Sequence, residues 1–168
     1  MIERRRLELD DFDEWYALRL RGLREDPLSF WKSPEEESER EPIFERYKQG
    51  LETGESWLIG SFEDGRLIGC AGYVRMPQKK RRHIGGVWGV YLAPEARGRG
   101  LCVPMIETLI AGVREATEVE LLELGVATEN VAAVRAYERC GFVTWGTEPA
   151  AIRVDGRDYD EFMMTLRL

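Results

Sequence analysis

YLAPEARGRGLC, residues 91–102, begins as an apolar strand and ends in two arginines and two glycines separated by single residues. Residues 83–92 have the composition of a strand, and residues 99 to about 116 have helical spacing. A strand that passes through a glycine turn into a helix leaves the first backbone N–H groups of that helix unpaired and pointing one way. With the helix dipole they make a place for an anion, phosphate above all. Gly98 and Gly100 let a ligand approach the main chain because no Cβ intervenes, and Arg97 and Arg99 add charge. Two phosphate patterns are excluded. A Walker loop closes on Gly-Lys-Ser/Thr, and a dinucleotide fingerprint needs a third glycine where this chain has Val103. Taken alone, the stretch also fits a tight turn whose arginines face water.

The rest of the composition bounds what such a turn can serve. With 168 residues the chain is the size of one domain, residues 1–168, able to bury roughly two thirds of its unfolded surface. Lys plus Arg number 24 against 31 Asp plus Glu, a formal net charge of −7 that opposes nucleic-acid binding. The basic run Lys79, Lys80, Arg81, Arg82 reads as a solvated turn between apolar segments. Cys70, Cys102 and Cys140 give an odd count without CxxC spacing, against both a disulfide framework and a zinc site. Packing is their expected role, since Cys70 lies in an apolar strand and no base is placed beside any of them. A single histidine, His83, makes a metal centre a poor expectation. The charged N-terminal segment lacks a signal-peptide apolar region, and no stretch reaches the ~18 apolar residues of a membrane span. A soluble, cytoplasmic protein without membrane partners is expected.

Along the chain, residues 2–9 read as a strand and Asp10 or Asp11 as the cap of a helix carrying Trp15, Leu18, Leu20 and Leu23, which stops near Asp26-Pro27. Ser33-Pro34-Glu35-Glu36 predicts a second helix, broken at Pro42 and running to about Leu51. Residues 56–62 and 66–76 form a hairpin about Glu63-Asp64-Gly65. A strand–helix–strand unit follows over 83–92, 99–116 and 121–127. Residues 129–139 are a helix closed by Gly141, and strands 142–145, 150–154 and 157–166 complete the chain, the last two joined at Asp155-Gly156.

Arg97-Gly98-Arg99-Gly100-Leu101-Cys102, just after VWGVYLAP, resembles the R/Q-x-x-G-x-G/A motif of the GNAT superfamily of acetyl-CoA-dependent N-acetyltransferases. LELGVATENVAAVRAYERCGF, residues 122–142, is similar to that superfamily's second motif, a strand, an Asn, a short helix with a Tyr and a closing Gly-Phe. The order of elements matches through to DYDEFMMTL, residues 158–166. The resemblance implies an α/β GNAT-like fold: a mixed, mostly antiparallel sheet of about seven strands with four helices, its central strands 83–92 and 121–127 splayed to form an acyl-CoA cleft. It implies that the pantetheine arm of acetyl-CoA pairs with Val90, Tyr91 and Leu92, that the pyrophosphate sits on Arg97, Gly98, Arg99, Gly100, Leu101 and Cys102, and that Asn130 holds the arm or the helix. The cosubstrate would donate its acetyl group to a primary amine by direct attack, with Tyr137 as general acid. Asn130 and Tyr137, seven apart, share a helix face; without the resemblance Tyr137 reads as an ordinary half-buried aromatic.

Cys102 stands where that motif has Gly or Ala, and Pro104 deletes one N–H near the helix start. A protein that binds acyl-CoA but acts as a sensor or interaction module is therefore the alternative. For a base, Glu123, His83, Glu36, Glu37 and bulk water stay open; Glu123 alternates with Leu122 and Leu124 and should face away from the main core. The resemblance places the acceptor pocket over residues 24–40 and 145–160, which hold Phe30, Trp31 and Trp145 with Glu35, Glu36, Glu37 and Glu39. Small amine, amino acid, antibiotic and protein N-terminus all remain as acceptors, and a homodimer is common among similar proteins.

Overall fold

The computed structural model describes residues 1–168. In chain order it contains β1 (Ile2–Arg6), α1 (Phe12–Glu25), α2 (Arg40–Thr53), β2 (Ser56–Glu63), β3 (Arg66–Arg75), β4 (Ile84–Leu92), α3 (Cys102–Ala116), β5 (Leu121–Ala127), α4 (Val131–Arg139), β6 (Val143–Val154) and β7 (Arg157–Arg167). The seven strands form one sheet in the order β1-β2-β3-β4-β5-β7-β6. Only β4 and β5, joined through α3, run parallel; all other neighbours are antiparallel.

Strand alternation gives the interior two main cores, with a small third cluster of Ile68, Ala96 and Leu101. Trp57, Ile59, Ala71 and Tyr73 pack beneath Met105, Ile106, Leu109, Ile110 and Val113 of α3 and Ala136 and Tyr137 of α4. The intervening residues Leu58 and Cys70 point the other way, onto Phe12, Trp15, Leu18 and Leu23 of α1 and Ile43 and Tyr47 of α2. With helices on both faces, β2 and β3 read as continuous apolar runs instead of alternating ones.

The sheet is open at its centre. β4 and β5 pair at only three positions, Ile84 with Leu121, Gly85 with Leu122 and Gly86 with Glu123. Beyond these, β4 carries a bulge against β3, where the register shifts opposite Cys70–Gly72 and Gly89 takes a φ of 59°. A bulge bends its strand. β4 thereafter follows β3 to Leu92 while β5 follows β7 to Ala127, leaving a wedge between them.

Several local expectations change. The second helix does not begin at Ser33: Glu35–Glu37 form only a single 3-10 turn, the chain extends at Glu39, and α2 starts at Arg40. Pro42 sits in its first turn, where a missing N–H matters least, so it causes no break. β1 ends at Arg6, because Leu9–Asp11 form a 3-10 turn whose Asp11 carboxylate accepts from the Glu8 amide and pairs with Arg5. The two strands expected at 142–145 and 150–154 are one strand, β6, starting at Val143 and interrupted by a bulge between Glu148 and Ile152 with Ala150 at φ 52°. α3 starts at Cys102, three residues later than expected, as the glycines hold the chain in a turn. Lys79–Arg81 form an exposed 3-10 turn, with Arg81 on Glu123 and Arg82 on Glu55. No helix is long and apolar enough to cross a membrane.

Candidate active site

The wedge between β4 and β5 opens a cleft of about 710 Å³ that reaches both sides of the sheet. Leu122, Leu124, Val126 and Met164 point into the core under α3 and α4, so their neighbours Glu123, Gly125, Glu161 and Met163 line the opposite side. Tyr137 enters from the α4 side. The two sides meet at the gap.

The turn before α3 forms one wall. The amides of residues 98–103 donate no hydrogen bond to any group of the chain, and α3 has no side-chain cap. Gly98 and Gly100 have φ of 71° and 73°, and a Cβ built on either would meet no atom within 4 Å, so the main chain lies open there. Unpaired N–H donors on an unobstructed turn fit a diphosphate such as that of acetyl-CoA. Cys102 is the first residue of α3 and Pro104 lies in its first turn, where no amide partner is lost.

The two arginines of the turn diverge. Arg97 braces it, Nε donating to the Leu92 carbonyl at 2.9 Å and Nη2 to Asp26 at 3.3 Å. Arg99 is turned onto Glu63 of β2, and its side chain does not line the cleft. Arg135 and Arg139, one turn apart on α4, line the cleft and are exposed. Sequence reading passed over them; their i, i+4 spacing was the available signal.

Val90, Tyr91 and Leu92 line the cleft along the stretch of β4 that has left β5. Asn130 and Tyr137 face it from α4. The Asn130 side chain is the α4 N-cap: Oδ1 accepts from the Ala133 amide at 3.2 Å while Nδ2 lies 3.4 Å from Ser29 Oγ. Tyr137 is 7% exposed and packs edge-on against Phe142. Its hydroxyl takes no partner within the chain, and burial, aided by the Cys102 and Cys140 thiols, raises its pKa, so it carries its proton at neutral pH. Burial likewise pushes the Cys70 thiol up to about 12 and Cys140 to about 11, and raises Cys102. None is a thiolate nucleophile at neutral pH.

Of the expected bases, His83 is exposed and outside the cleft. Glu36 accepts from the Ser33 amide at 2.8 Å and, with Glu35 and Glu39, borders a separate surface groove. Glu37 is buried; burial pushes its carboxyl up, but Arg19 and Lys32 outweigh this and hold it below the ordinary value. Glu123 lines the cleft on the side away from the core, paired with Arg81 at 2.6 Å. Phe30 and Trp31 line the cleft, whereas Trp145 stands 64% exposed outside it.

The group that sequence reading missed is Glu161. It is 3% exposed on β7, and its Oε2 accepts from Trp31 Nε1 at 3.0 Å. Burial raises its pKa and Glu148 adds to this, against the Trp31 hydrogen bond. The site exists because residue 125 is glycine: a Cβ there would stand 2.7 Å from Glu161 Oε2. In DYDEFMM, Glu161 looks like one more exposed charge of a hairpin strand, and only its phase with Met163 hinted otherwise.

The profile of the acetyltransferase (GNAT) family matches residues 17–142. Mycothiol acetyltransferase of Paenarthrobacter aurescens strain TC1 is 32% identical over 98 residues, 56% of this chain and 29% of that protein. Spermine/spermidine N(1)-acetyltransferase of Bacillus subtilis strain 168 is 29% identical over 87 residues, 50% of this chain and 57% of that protein. The chain thus spans 29–57% of the length of these curated relatives. Among solved structures, yncA from Salmonella typhimurium with its cofactor acetyl-CoA superposes with a TM-score of 0.89 over 100% of this chain and 94% of that one, at 20% identity, a likeness of fold. A seven-stranded sheet opened between its parallel pair, an unpaired amide turn at the opening and a profile covering most of the chain agree: this protein belongs to the GNAT acetyltransferase family.

Proposed function

We propose that the chain transfers an acetyl group from acetyl-CoA to a primary amine by direct attack. The observation that carries this reading is one cleft lined both by the open amide turn, residues 98–103, and by the unpartnered hydroxyl of Tyr137. The turn would hold the diphosphate, with the exposed cations Arg135 and Arg139 near by, and the unpaired edge of β4 near Val90, Tyr91 and Leu92 would hold the pantetheine arm as an added strand. Acetyl-CoA, when bound, supplies the acetyl group as an activated thioester.

A β4 amide beyond the last β5 pairing would stabilise the developing oxyanion. Tyr137, kept protonated by burial, delivers its proton to the departing sulfur. Asn130 anchors α4 through its cap and so fixes where Tyr137 stands. The spermine/spermidine relative gives an amine acceptor its precedent.

The experiment is release of free thiol from acetyl-CoA across a panel of amines, alongside calorimetric binding of acetyl-CoA. Acceptor-dependent release supports the reading. Tight binding without release from any amine would replace it with an acyl-CoA-binding module.

A further inference from the structure

Glu161 has features that a surface carboxylate lacks. It sits on β7, between β5 and the edge strand β6, is almost wholly buried, and has one oxygen committed to Trp31 Nε1. The other, Oε1, makes no hydrogen bond within the chain, yet it is not among the polar atoms sealed from solvent, so it faces the cleft. A buried carboxylate with an open oxygen is destabilising unless something else uses it.

The charges around it are otherwise spoken for. On β5, Gly125 and Ala127 beside it carry no charge, and Glu123 is paired with Arg81. From the segment before α2, Lys32 is paired with Glu37, which also holds Arg19 of α1. On β6, Glu148 pairs across from Glu161 in the strand register and adds a like charge. No cation within the chain neutralises Glu161, while Trp31 and Met163 supply apolar walls on the same side of the cleft.

We infer that Glu161 is the general base of this site: Oε1 binds the ammonium of an alkyl or arylalkyl primary amine lying along Trp31 and Met163, and takes its proton before attack. The inference rests on the acetyl-transfer reading above. In the step, one N–H bond of the ammonium breaks and an O–H bond forms at Oε1, and the nitrogen keeps the electron pair. That pair forms the N–C bond to the thioester carbonyl. As the C–S bond breaks, the Tyr137 hydroxyl protonates the sulfur and regains the nitrogen's surplus proton through water. The proton on Glu161 passes to solvent, so one amine cation and one thioester give one amide, one thiol and one proton.

The test uses 2-phenylethylamine, whose own pKa is near that of a lysine, about 10. For the unaltered protein, kcat/KM should rise through the raised pKa of Glu161, plateau, and fall above about pH 10 as the ammonium is lost. E161Q should lose about 10²–10³-fold at neutral pH and show no plateau, kcat/KM climbing tenfold per pH unit toward about pH 10 because only free amine can react. A purely structural role would lower the whole profile without changing its shape, and that result overturns the inference, as does an E161Q protein of unchanged activity. Gly125→Ala, which pushes a Cβ against Oε2, should lower kcat/KM for the amine about 10-fold, a displaced base behaving as a weaker one, with acetyl-CoA affinity unchanged. Unchanged turnover in Gly125→Ala counts against the inference.

Two readouts do not depend on turnover. Because burial raises the Glu161 pKa above its ordinary 4.5, the ionised carboxylate weakens the fold at neutral pH and not below about pH 4.5, where it is protonated in both states. E161Q should therefore melt higher at pH 7, with the gain vanishing as pH falls through that range. Calorimetry with CoA-saturated protein should show 2-phenylethylamine binding that E161Q abolishes; binding retained in E161Q refutes the Glu161 assignment. Thiol release from no amine, with amine binding still dependent on Glu161, would instead overturn acetyl transfer alone.

Discussion

The two ends of the cleft are built on different principles. The turn ahead of α3 works through its main chain: its amides are unpaired, its glycines expose them, and one of its two arginines points elsewhere. The opposite end, which we propose takes the acceptor, is built from side chains, Trp31, Lys32, Glu161 and the Arg19–Glu37 pair, gathered from three distant parts of the chain. A main-chain site is written in one short stretch and tolerates side-chain change. A side-chain site depends on what packs behind each group, so it varies with every substitution around it.

That contrast can be broken by four substitutions. The largest effect belongs to the group where the two ends meet: Tyr137→Phe keeps the ring against Phe142 and removes the acidic proton. It should lower kcat about 10²–10³-fold while acetyl-CoA binding, measured by calorimetry, stays the same; unchanged kcat would remove Tyr137 from the reaction.

Glu37→Gln should be next. It strands Arg19, whose guanidinium also lies over Trp15, Phe30 and Trp88, in a buried site, and breaking one side of a buried pair destabilises by about 3 kcal/mol. The carboxyl of Glu37 is held below its ordinary 4.5 by these cations, so this stability is present above about pH 4.5 and is lost as pH falls through the depressed value. Thermal melts of both proteins should converge at low pH; melts that stay parallel would show that the charge is not what Glu37 contributes.

Gly100→Val tests the main-chain end. It puts a β-branched residue at a φ of 73° and covers amides that are now open. Losing charge-assisted N–H contacts worth about 1.5–3 kcal/mol should weaken acetyl-CoA about 10- to 100-fold by calorimetry, with a native melt confirming the fold. Cys102→Ala should do least, changing the Kd for acetyl-CoA by about twofold or less, because the proposed contact is an amide that alanine retains. A tenfold change would mean that the thiol itself takes part.

How much of this was legible follows from the same contrast. The hydrophobic runs of β2 to β5, the crossover helix and the glycine turn could be read because each is a local pattern. The break before α2 was misplaced because Ser33 and Pro34 carry a helix-start signal that a 3-10 turn uses equally well. β6 was divided in two because its bulge around Ala150 interrupts the alternation while cross-strand pairing to β7 continues. Glu36, Glu37 and His83 were plausible bases only while their neighbours were unknown. Packing turned one outward, locked one to two cations and left the third outside the cleft.

The sequence by itself determined the amide turn, the short α4 helix with Asn130 and Tyr137 seven apart, though its start fell two residues early at Glu129, and the alternation of Leu122, Glu123 and Leu124, since each depends on residues within a few positions of one another. Tertiary structure alone decided that Arg99 leaves the site for Glu63, and that Glu161 gains its place from Gly125 and its hydrogen bond from Trp31, 130 residues away. The physical reason is that a backbone donor is oriented by its own dihedral angles, whereas the ionisation and aim of a side chain are set by whatever the fold brings against it.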